Sequence, residues 1–249
     1  MISNNLADQT VAQVVSDNIK AAHVFKKYGI DFCCGGGISV QKACEKKNLD
    51  TATVCDEIAQ SRQKGVRMPD YQNWSLPFLI DYIVNTHHVY VTESIHILNQ
   101  YVEKVARVHG EHHPPLLDIR RLYHQLADEL SLHLQKEETV LFPYVKSLAA
   151  AQQDPQTAFY QPPFGTVNNP IALMRAEHDT AGEICKEIAD LTEQYQTPEW
   201  ACNTFKALYA KLQEFEEDLH IHVHLENNIL FPKAILLEKE VLAITLHQV

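Results

Sequence analysis

Histidine and glutamate recur in this sequence at a spacing that suits a metal site. His133 is followed four positions later by Glu137, and His222 is followed four positions later by Glu226. Residues four apart lie on one face of an α-helix, so each pair can direct an imidazole and a carboxylate to one point. Nitrogen and oxygen ligands without thiolate are typical of iron, manganese or zinc.

The two pairs belong to an internal repeat. Both are followed by Leu-Phe-Pro, beginning at Leu141 and Leu230, and a histidine precedes each pair by 46 or 44 positions. Two such helical hairpins in tandem predict a four-helix bundle. A single His-x-x-x-Glu is usually a surface pair, whereas its repetition favours metal. The predicted ligands are His87, His133, Glu137, His178, His222 and Glu226.

Six ligands of this kind suit two ions better than one. If Glu137 and Glu226 bridge the ions and two histidines complete each of them, every ion has four protein ligands. Open positions then remain for an oxo or hydroxo bridge and for a small exogenous ligand. A closed structural zinc site would use cysteine or stop at four ligands on one ion. Two iron ions are therefore the predicted cofactor.

Other histidines among the 14 leave alternatives open. His88 adjoins His87 and is the main ambiguity in the first bundle helix. His220 and His224 form their own pair four residues apart, on a different face from His222 and Glu226. No role follows for them from the sequence.

Helical periodicity dominates the chain, so an all-α fold is predicted, with a small helical N-terminal domain before the four-helix bundle. The N-terminal domain is assigned to 1–65, with helices over 10–27, ending at Tyr28-Gly29, and over 40–47 and 52–62. A linker is predicted over 62–73, which contains Gly65 and Pro69.

The bundle is assigned to 75–240. Its helices are predicted over 75–109, 115–148 and 169–196, and from Thr197 past Phe231. Asn169 is expected to cap the third helix, with Pro170 at its first position. Pro143 and Pro232 lie late in the second and fourth helices, which they are expected to kink or end.

The N-terminal domain carries the motif Asp31-Phe32-Cys33-Cys34-Gly35-Gly36-Gly37. Adjacent cysteines place their sulfurs badly for a mutual disulfide. Three glycines predict an exposed, flexible backbone, and Cys33 and Cys34 then suit a reactive thiol pair that binds iron or exchanges thiols. The alternative is two buried thiols in a tight turn. The remaining cysteines are expected to be inert helix residues: Cys44, Cys55, Cys185 and Cys202.

Composition narrows the classes of function. The net charge of -11 over 249 residues disfavours a nucleic-acid partner. No signal peptide and no apolar run of membrane-spanning length is recognisable. A cytoplasmic protein with reduced thiols is expected.

Several motifs resemble known domains. Asn85-Thr86-His87-His88, Glu177-His178-Asp179 and the two Leu-Phe-Pro blocks resemble the hemerythrin-like domain, and the Cys-Cys-Gly motif resembles the ScdA-type N-terminal domain. Together they resemble the Repair of Iron Centers family of ScdA and YtfE type. The resemblance implies a di-iron protein with the six ligands above, bridged by Glu137 and Glu226, and it favours His87 over His88.

The same resemblance implies repair of iron–sulfur clusters damaged by nitric oxide or peroxide. Iron–sulfur proteins would then be clients, with nitric oxide or O2 as small ligands, and Cys33 and Cys34 would mediate contact or thiol chemistry. A metal donor is favoured over a turnover enzyme. Nitric oxide reduction at the di-iron site is the alternative, as is non-enzymatic sensing or iron storage. A homodimer is left open.

Overall fold

A computed structural model describes residues 3–62, 69–154 and 162–246, and helices dominate these three ranges. The only β-pairing in them is an isolated bridge between Thr10 and Ser39. The predicted all-α fold is confirmed. Of the predicted linker, 63–68 lies outside the described ranges, and Tyr71–Asn73 forms a 3₁₀ turn. The N-terminal helices are α1 (Ser3–Asp8), α2 (Val11–Asp17), α3 (Ala21–Lys27), α4 (Val40–Lys46) and α5 (Thr51–Arg62).

The helix predicted over 10–27 is divided into α2 and α3. Thr10 begins α2 with a capping box, in which its hydroxyl accepts from Gln13 N at 3.2 Å. Asn18 then adopts an extended conformation, with φ of -152° and ψ of 90°, which ends α2. The predicted stop at Tyr28-Gly29 is confirmed, because Gly29 takes a left-handed φ of 63° directly after α3.

Four long helices form the bundle, and three of them contain a wider π-helical segment. The first consists of α6 (Leu76–Ile83), π1 (Val84–His88) and α7 (Val89–His109). The second consists of α8 (Pro115–Lys136), π2 (Glu137–Leu141) and α9 (Phe142–Gln153). The third is α10 (Asn168–Leu191), and the fourth consists of α11 (Asn203–Leu225), π3 (Glu226–Leu230) and α12 (Phe231–Leu246). Helices α7, α8, α10 and α11 pack as a closed ring in that order.

Pro143 and Pro232 do not end their helices, so this part of the expectation is wrong. Helix α9 continues to Gln153 and α12 to Leu246, both well beyond the prolines. In each helix a single residue separates the proline from the π segment. That residue, Phe142 or Phe231, donates five residues back, to Glu137 O or Glu226 O. The wider turn has already shifted the hydrogen bonding, so the missing N–H of proline does not break the helix.

The boundary between the third and fourth helices also differs from the prediction. Three successive residues with positive φ, Glu193 to Tyr195, follow α10, and α11 begins at Asn203 instead of Thr197. The third helix begins at Asn168, one residue before its predicted cap, with no side-chain cap. Cys202 is therefore the residue before α11, and it is exposed, with its sulfur 3.3 Å from His109 Nε2. The expectation that Cys202 lies within a helix is wrong.

The core consists of two apolar clusters with a polar layer between them. One cluster joins the N-terminal domain to α7, α8 and α11, through residues such as Phe25, Leu98 and Phe215. The other fills the opposite half of the bundle, around Ile83 and Phe231. Between them lie buried histidines and glutamates, on every bundle helix. The stacked clusters hold these polar side chains away from solvent.

Exposure of Cys202 predicts its reactivity. Native protein treated with iodoacetamide should be alkylated first at Cys202, then at half-buried Cys34, and most slowly at the four buried thiols. Peptide mass spectrometry over time measures this order. The variant Cys202→Ser should lack the fast phase, and persistence of that phase would contradict the placement of Cys202.

Candidate metal centre

The polar layer brings together six metal-ligating side chains from all four bundle helices. His133 lies in the last turn of α8, His178 in the middle of α10, and His222 in the last turn of α11. The other three belong to π segments: His88 ends π1, Glu137 begins π2 and Glu226 begins π3. All six are buried, and both carboxylates have 0% of their surface exposed.

These side chains form two groups of four that share both glutamates. In each group the ligating atoms lie within 4.8 Å of one another. One group, here called position A, contains His88 and His222, and the other, position B, contains His133 and His178. Each group could hold one ion.

Short distances connect the ligating atoms. At position A, Nε2 of His222 lies 3.0 Å from Glu226 Oε1, and Nε2 of His88 lies 3.5 Å from Glu137 Oε2. At position B, Nε2 of His178 lies 3.1 Å from Glu226 Oε2 and 3.0 Å from Nε2 of His133. Imidazole Nε2 atoms and carboxylate oxygens thus face common points in both groups.

The preference for His87 over His88 is not supported by this geometry. His87 is buried, but it belongs to neither group of four. Its Nδ1 donates to Asp218 Oδ1 at 3.0 Å, and its ring stacks on His222 with a 6° interplanar angle. His88 occupies the place expected for His87.

Segment π1 explains this difference. In a regular α-helix, the position four residues after buried Ile83 is His87, which would face the bundle axis. A π turn contains an additional residue, so the inward-facing position moves to His88. The buried positions continue regularly from there, with Val91 three residues later. The sequence gives no clear signal for this insertion.

The site fits a cation, because several of its buried polar atoms lack a hydrogen-bond partner among the described residues. They include Nε2 of His88 and both oxygens of Glu137. Burial of polar atoms without partners is costly, and buried carboxylates are normally paired or bound to metal. Nitrogen and oxygen ligands without cysteine suit iron.

The pKa values of His88, His178 and Glu226 indicate that the polar layer favours positive charge. Burial opposes protonation of His88, but Glu137 and Glu226 outweigh it and raise the pKa of His88 to about 10. Burial also opposes protonation of His178, yet the same carboxylates raise the pKa of that ring to about 9. Burial favours the neutral acid of Glu226, but the neighbouring histidines hold its pKa well below the usual range. Without metal, protons on imidazole supply the positive charge.

Three of the histidines are oriented by a partner at Nδ1. His88 Nδ1 donates to Glu138 and His133 Nδ1 donates to Glu177, each at 2.8 Å. His178 Nδ1 donates to the amide oxygen of Asn227 at 3.1 Å. Such partners fix the tautomer, so that Nε2 carries the lone pair toward a metal. Sequence reasoning missed Glu138, Glu177 and Asn227. Their positions next to Glu137, His178 and Glu226 are a signal, but it does not identify the ring that each contacts.

The Cys33-Cys34 motif lies against the fourth bundle helix, next to the metal centre. Asp31 accepts hydrogen bonds from the backbone N–H groups of Cys33, Cys34 and Gly35, at 2.7 to 3.0 Å. Cys33 is buried and Cys34 half-buried. The expectation of an exposed thiol pair is therefore wrong for Cys33, which is packed within the turn that Asp31 anchors.

The two thiols differ in their environment. A hydrogen bond with Cys34, together with burial, raises the pKa of Cys33 well above its ordinary value. Cys33 therefore stays a thiol at neutral pH, and Cys34 is the more accessible sulfur of the pair.

His220 and His224 lie at the interface between the domains. Phe32 packs against both rings, with centroid distances of 5.9 and 6.0 Å. His224 Nε2 lies 3.2 Å from Ser16 Oγ, and burial lowers the pKa of His224 to about 4. These histidines help to dock the N-terminal domain on the bundle, and they belong to neither metal position.

Comparisons with known proteins match two domains in this chain. The chain matches the ScdA_N domain, described as a domain of unknown function (DUF542), over residues 7–62. It matches the hemerythrin HHE cation binding domain over residues 79–234. The two ranges lie within the two predicted domains. Fold and site thus define a cation-binding helical bundle of hemerythrin type, and its histidines and glutamates support iron binding.

Two relatives align with most of this chain. The iron-sulfur cluster repair protein ScdA of Staphylococcus haemolyticus is 35% identical over 233 residues, which cover 94% of this chain and 99% of that protein. The iron-sulfur cluster repair protein YtfE of Yersinia pseudotuberculosis is 34% identical over 216 residues, covering 87% and 91%. The chain belongs to the family of ScdA and YtfE proteins. In its described part, no helix has the length and apolar character needed to cross a membrane.

Replacement of His88 and His87 tests the first bundle helix. His88→Ala should lose metal from position A, because it removes one of that position's two imidazoles. His87→Ala should retain metal, since His87 belongs to neither group. Elemental analysis of both purified variants measures the difference. The opposite result, with metal lost only from His87→Ala, would restore His87 as the ligand.

Metal binding should release protons. Because the pKa of His88 is about 10 and that of His178 about 9, both rings are protonated at pH 7.5, and a metal ion must displace those protons. Roughly two protons should be released on filling both positions, and affinity should rise with pH toward 9–10. Calorimetry in two buffers of different ionisation enthalpy measures this release. A binding heat independent of buffer would contradict it, and His88→Gln should lower the release.

Proposed function

We propose that this protein holds a di-iron centre and supplies iron for the repair of damaged iron–sulfur clusters. The observation that carries the proposal is the pair of four-ligand groups that share Glu137 and Glu226. Two ions in these positions would be bridged by the two carboxylates. The relatives named as iron-sulfur cluster repair proteins support the assignment of the process.

The ligand set suits release of iron as well as binding. Each position offers two imidazoles and two shared carboxylates, and no thiolate. Iron held by these four side chains would remain open to competition from ligands on an acceptor. Iron bound here would be exchangeable. The surrounding buried residues would shield it from solvent until a client docks.

The thiol motif supports a role in contact with the client. Cys34 is half-buried at the surface of the turn, and its sulfur lies 3.8 Å from the amide nitrogen of Asn227. A thiol in this place is close to the metal centre, and a thiolate is a soft ligand for iron. We propose that Cys34 contacts the client or carries iron toward it, with Cys33 supporting the turn.

We also propose a cell compartment and a class of client proteins for this function. Clients would be cytoplasmic iron–sulfur proteins whose clusters have lost iron under nitrosative or oxidative stress. A reducing cytoplasm suits the six free cysteines. Nucleic acid is not expected as a partner of a chain with a net charge of -11.

Nitric oxide reduction is the second candidate. Positions A and B share both carboxylates, so ligands bound at the open positions of two irons would be neighbours. Two nitric oxide molecules held there could couple to nitrous oxide and water, with two electrons from a donor and two protons from solvent. Repeated nitrous oxide formation with an added reductant would favour this enzyme activity. One transfer of iron per loaded protein would favour repair.

The metal content of the purified protein is the first test of the di-iron proposal. Protein purified from iron-supplied cells should contain roughly two irons per chain, with the Mössbauer spectrum of an antiferromagnetically coupled pair. One zinc per chain, or no metal, would overturn the di-iron proposal.

Variants separate metal binding from repair. His133→Ala and Glu226→Ala should lose metal, whereas His96→Ala, at an exposed histidine of α7, should keep it. The double variant Cys33→Ala, Cys34→Ala should keep iron but repair a client roughly tenfold more slowly or worse. The client is a dehydratase whose [4Fe–4S] cluster has lost one iron, and regained dehydratase activity is measured. Unchanged repair by the double variant would exclude a thiol role.

A further inference from the structure

The orienting partners of the metal-facing histidines are not equivalent. His88 and His133 each donate to a carboxylate, from Glu138 and Glu177. Both carboxylates belong to the bundle itself. His178 instead donates to Asn227, a neutral amide that also contacts the N-terminal domain. Position B therefore has one ligand whose support depends on a second domain.

Asn227 lies between the metal centre and the turn that contains Cys33 and Cys34, here called the thiol turn. It follows Glu226 in π3, and only 9% of its surface is exposed. Its Nδ2 donates to the carbonyl oxygen of Cys33 at 3.3 Å and lies 3.8 Å from the sulfur of Cys34. Its Oδ1 faces Nδ1 of His178 at 3.1 Å. The planar carboxamide of Asn227 thus contacts both the thiol turn and His178.

The thiol turn determines which way this amide points. The carbonyl oxygen of Cys33 can only accept, so the amide group that faces it must be the NH2 group of Asn227. Oδ1 is then directed at His178, and it can only accept. His178 must therefore carry a proton on Nδ1, which leaves the lone pair on Nε2 for position B.

We propose that Asn227 couples the Cys33-Cys34 turn to the metal affinity of position B, which makes the ion at position B the one that responds to the thiols. This inference rests on the proposed function, since it concerns one of the two proposed iron positions. Docking of the turn holds the carboxamide in the orientation that favours metal. Displacement or modification of the turn frees the carboxamide to rotate and weakens position B.

The coupling must act in both directions. If docking of the turn strengthens metal binding at position B, metal binding strengthens docking by the same factor. Cys34 should then react more slowly in metal-loaded protein than in metal-free protein. Position A lacks such a connection, because His88 is supported by Glu138 and the Nδ1 of His222 has no partner among the described residues.

The test uses the full-length chain in a Cys202→Ser background, so that the exposed thiol does not react. Co(II) is the probe, and its visible ligand-field absorption reports each binding step. Asn227→Leu should weaken one of two Co(II) sites by roughly 10- to 100-fold, the usual effect of losing such a partner. Asn227→Asp should keep the affinity, because a carboxylate can still accept from His178, but it cannot donate to Cys33.

The second measurement is the rate at which iodoacetamide alkylates Cys34, with and without Co(II). Metal should slow this reaction severalfold in the background protein, and neither Asn227→Leu nor Asn227→Asp should show the metal effect. Asn228→Ala is the matched control. Asn228 also donates to the Cys33 carbonyl, at 3.1 Å, but it does not contact His178. This variant should react faster at Cys34 and still be slowed by metal.

The outcomes separate the inference from the function on which it rests. Two Co(II) ions bound with no metal effect on Cys34, or a metal effect that persists in Asn227→Leu, would overturn the coupling alone. Absence of metal binding in the background protein would overturn the metal centre and the coupling together.

Discussion

Two carboxylates with no exposed surface are the constraint on which the rest of this structure depends. Glu137 and Glu226 lie between two apolar clusters, where an unpaired charge would be strongly unfavourable. Four imidazoles surround them, and the resulting layer needs positive charge from protons or from metal. The apolar clusters above and below the layer keep these side chains buried. Metal binding and folding stability are thereby linked in one layer.

The π segments show how the helices meet this constraint. Three of the four bundle helices contain one, and each segment begins or ends at a candidate ligand: His88, Glu137 or Glu226. A wider turn changes the direction in which the next residues point, and it leaves carbonyl groups outside the regular ladder. The π segments lie at the polar layer, where the direction of the candidate ligand side chains matters. On both sides of the layer, within the apolar clusters, the helices are regular α-helices. The prolines after π2 and π3 are accommodated by the same shift.

Much of this organisation could be predicted from periodicity and spacing. The all-α fold, the pairs His133 with Glu137 and His222 with Glu226, and the place of His178 follow from repeats that a regular helix preserves. The choice between His87 and His88 does not, because it depends on one additional residue in π1. Likewise, the sequence predicts Cys202 inside a helix that starts at Thr197, whereas three residues with positive φ follow α10 and α11 starts only at Asn203. Contacts between domains, such as Phe32 with His220, have no periodic signal.

The placement of the N-terminal domain changes the meaning of its cysteine motif. A flexible thiol pair on a separate domain could act on a client independently of the bundle. Here Asp31 fixes the turn, and Asn227 and Asn228 both donate to the carbonyl oxygen of Cys33. The turn is therefore part of the surroundings of the metal centre, and its hydrogen bonds to Asn227 and Asn228 cross from one domain to the other. Reversible control through this turn requires a partner that binds the undocked state more tightly than the docked one, with a difference on the order of a few kcal/mol.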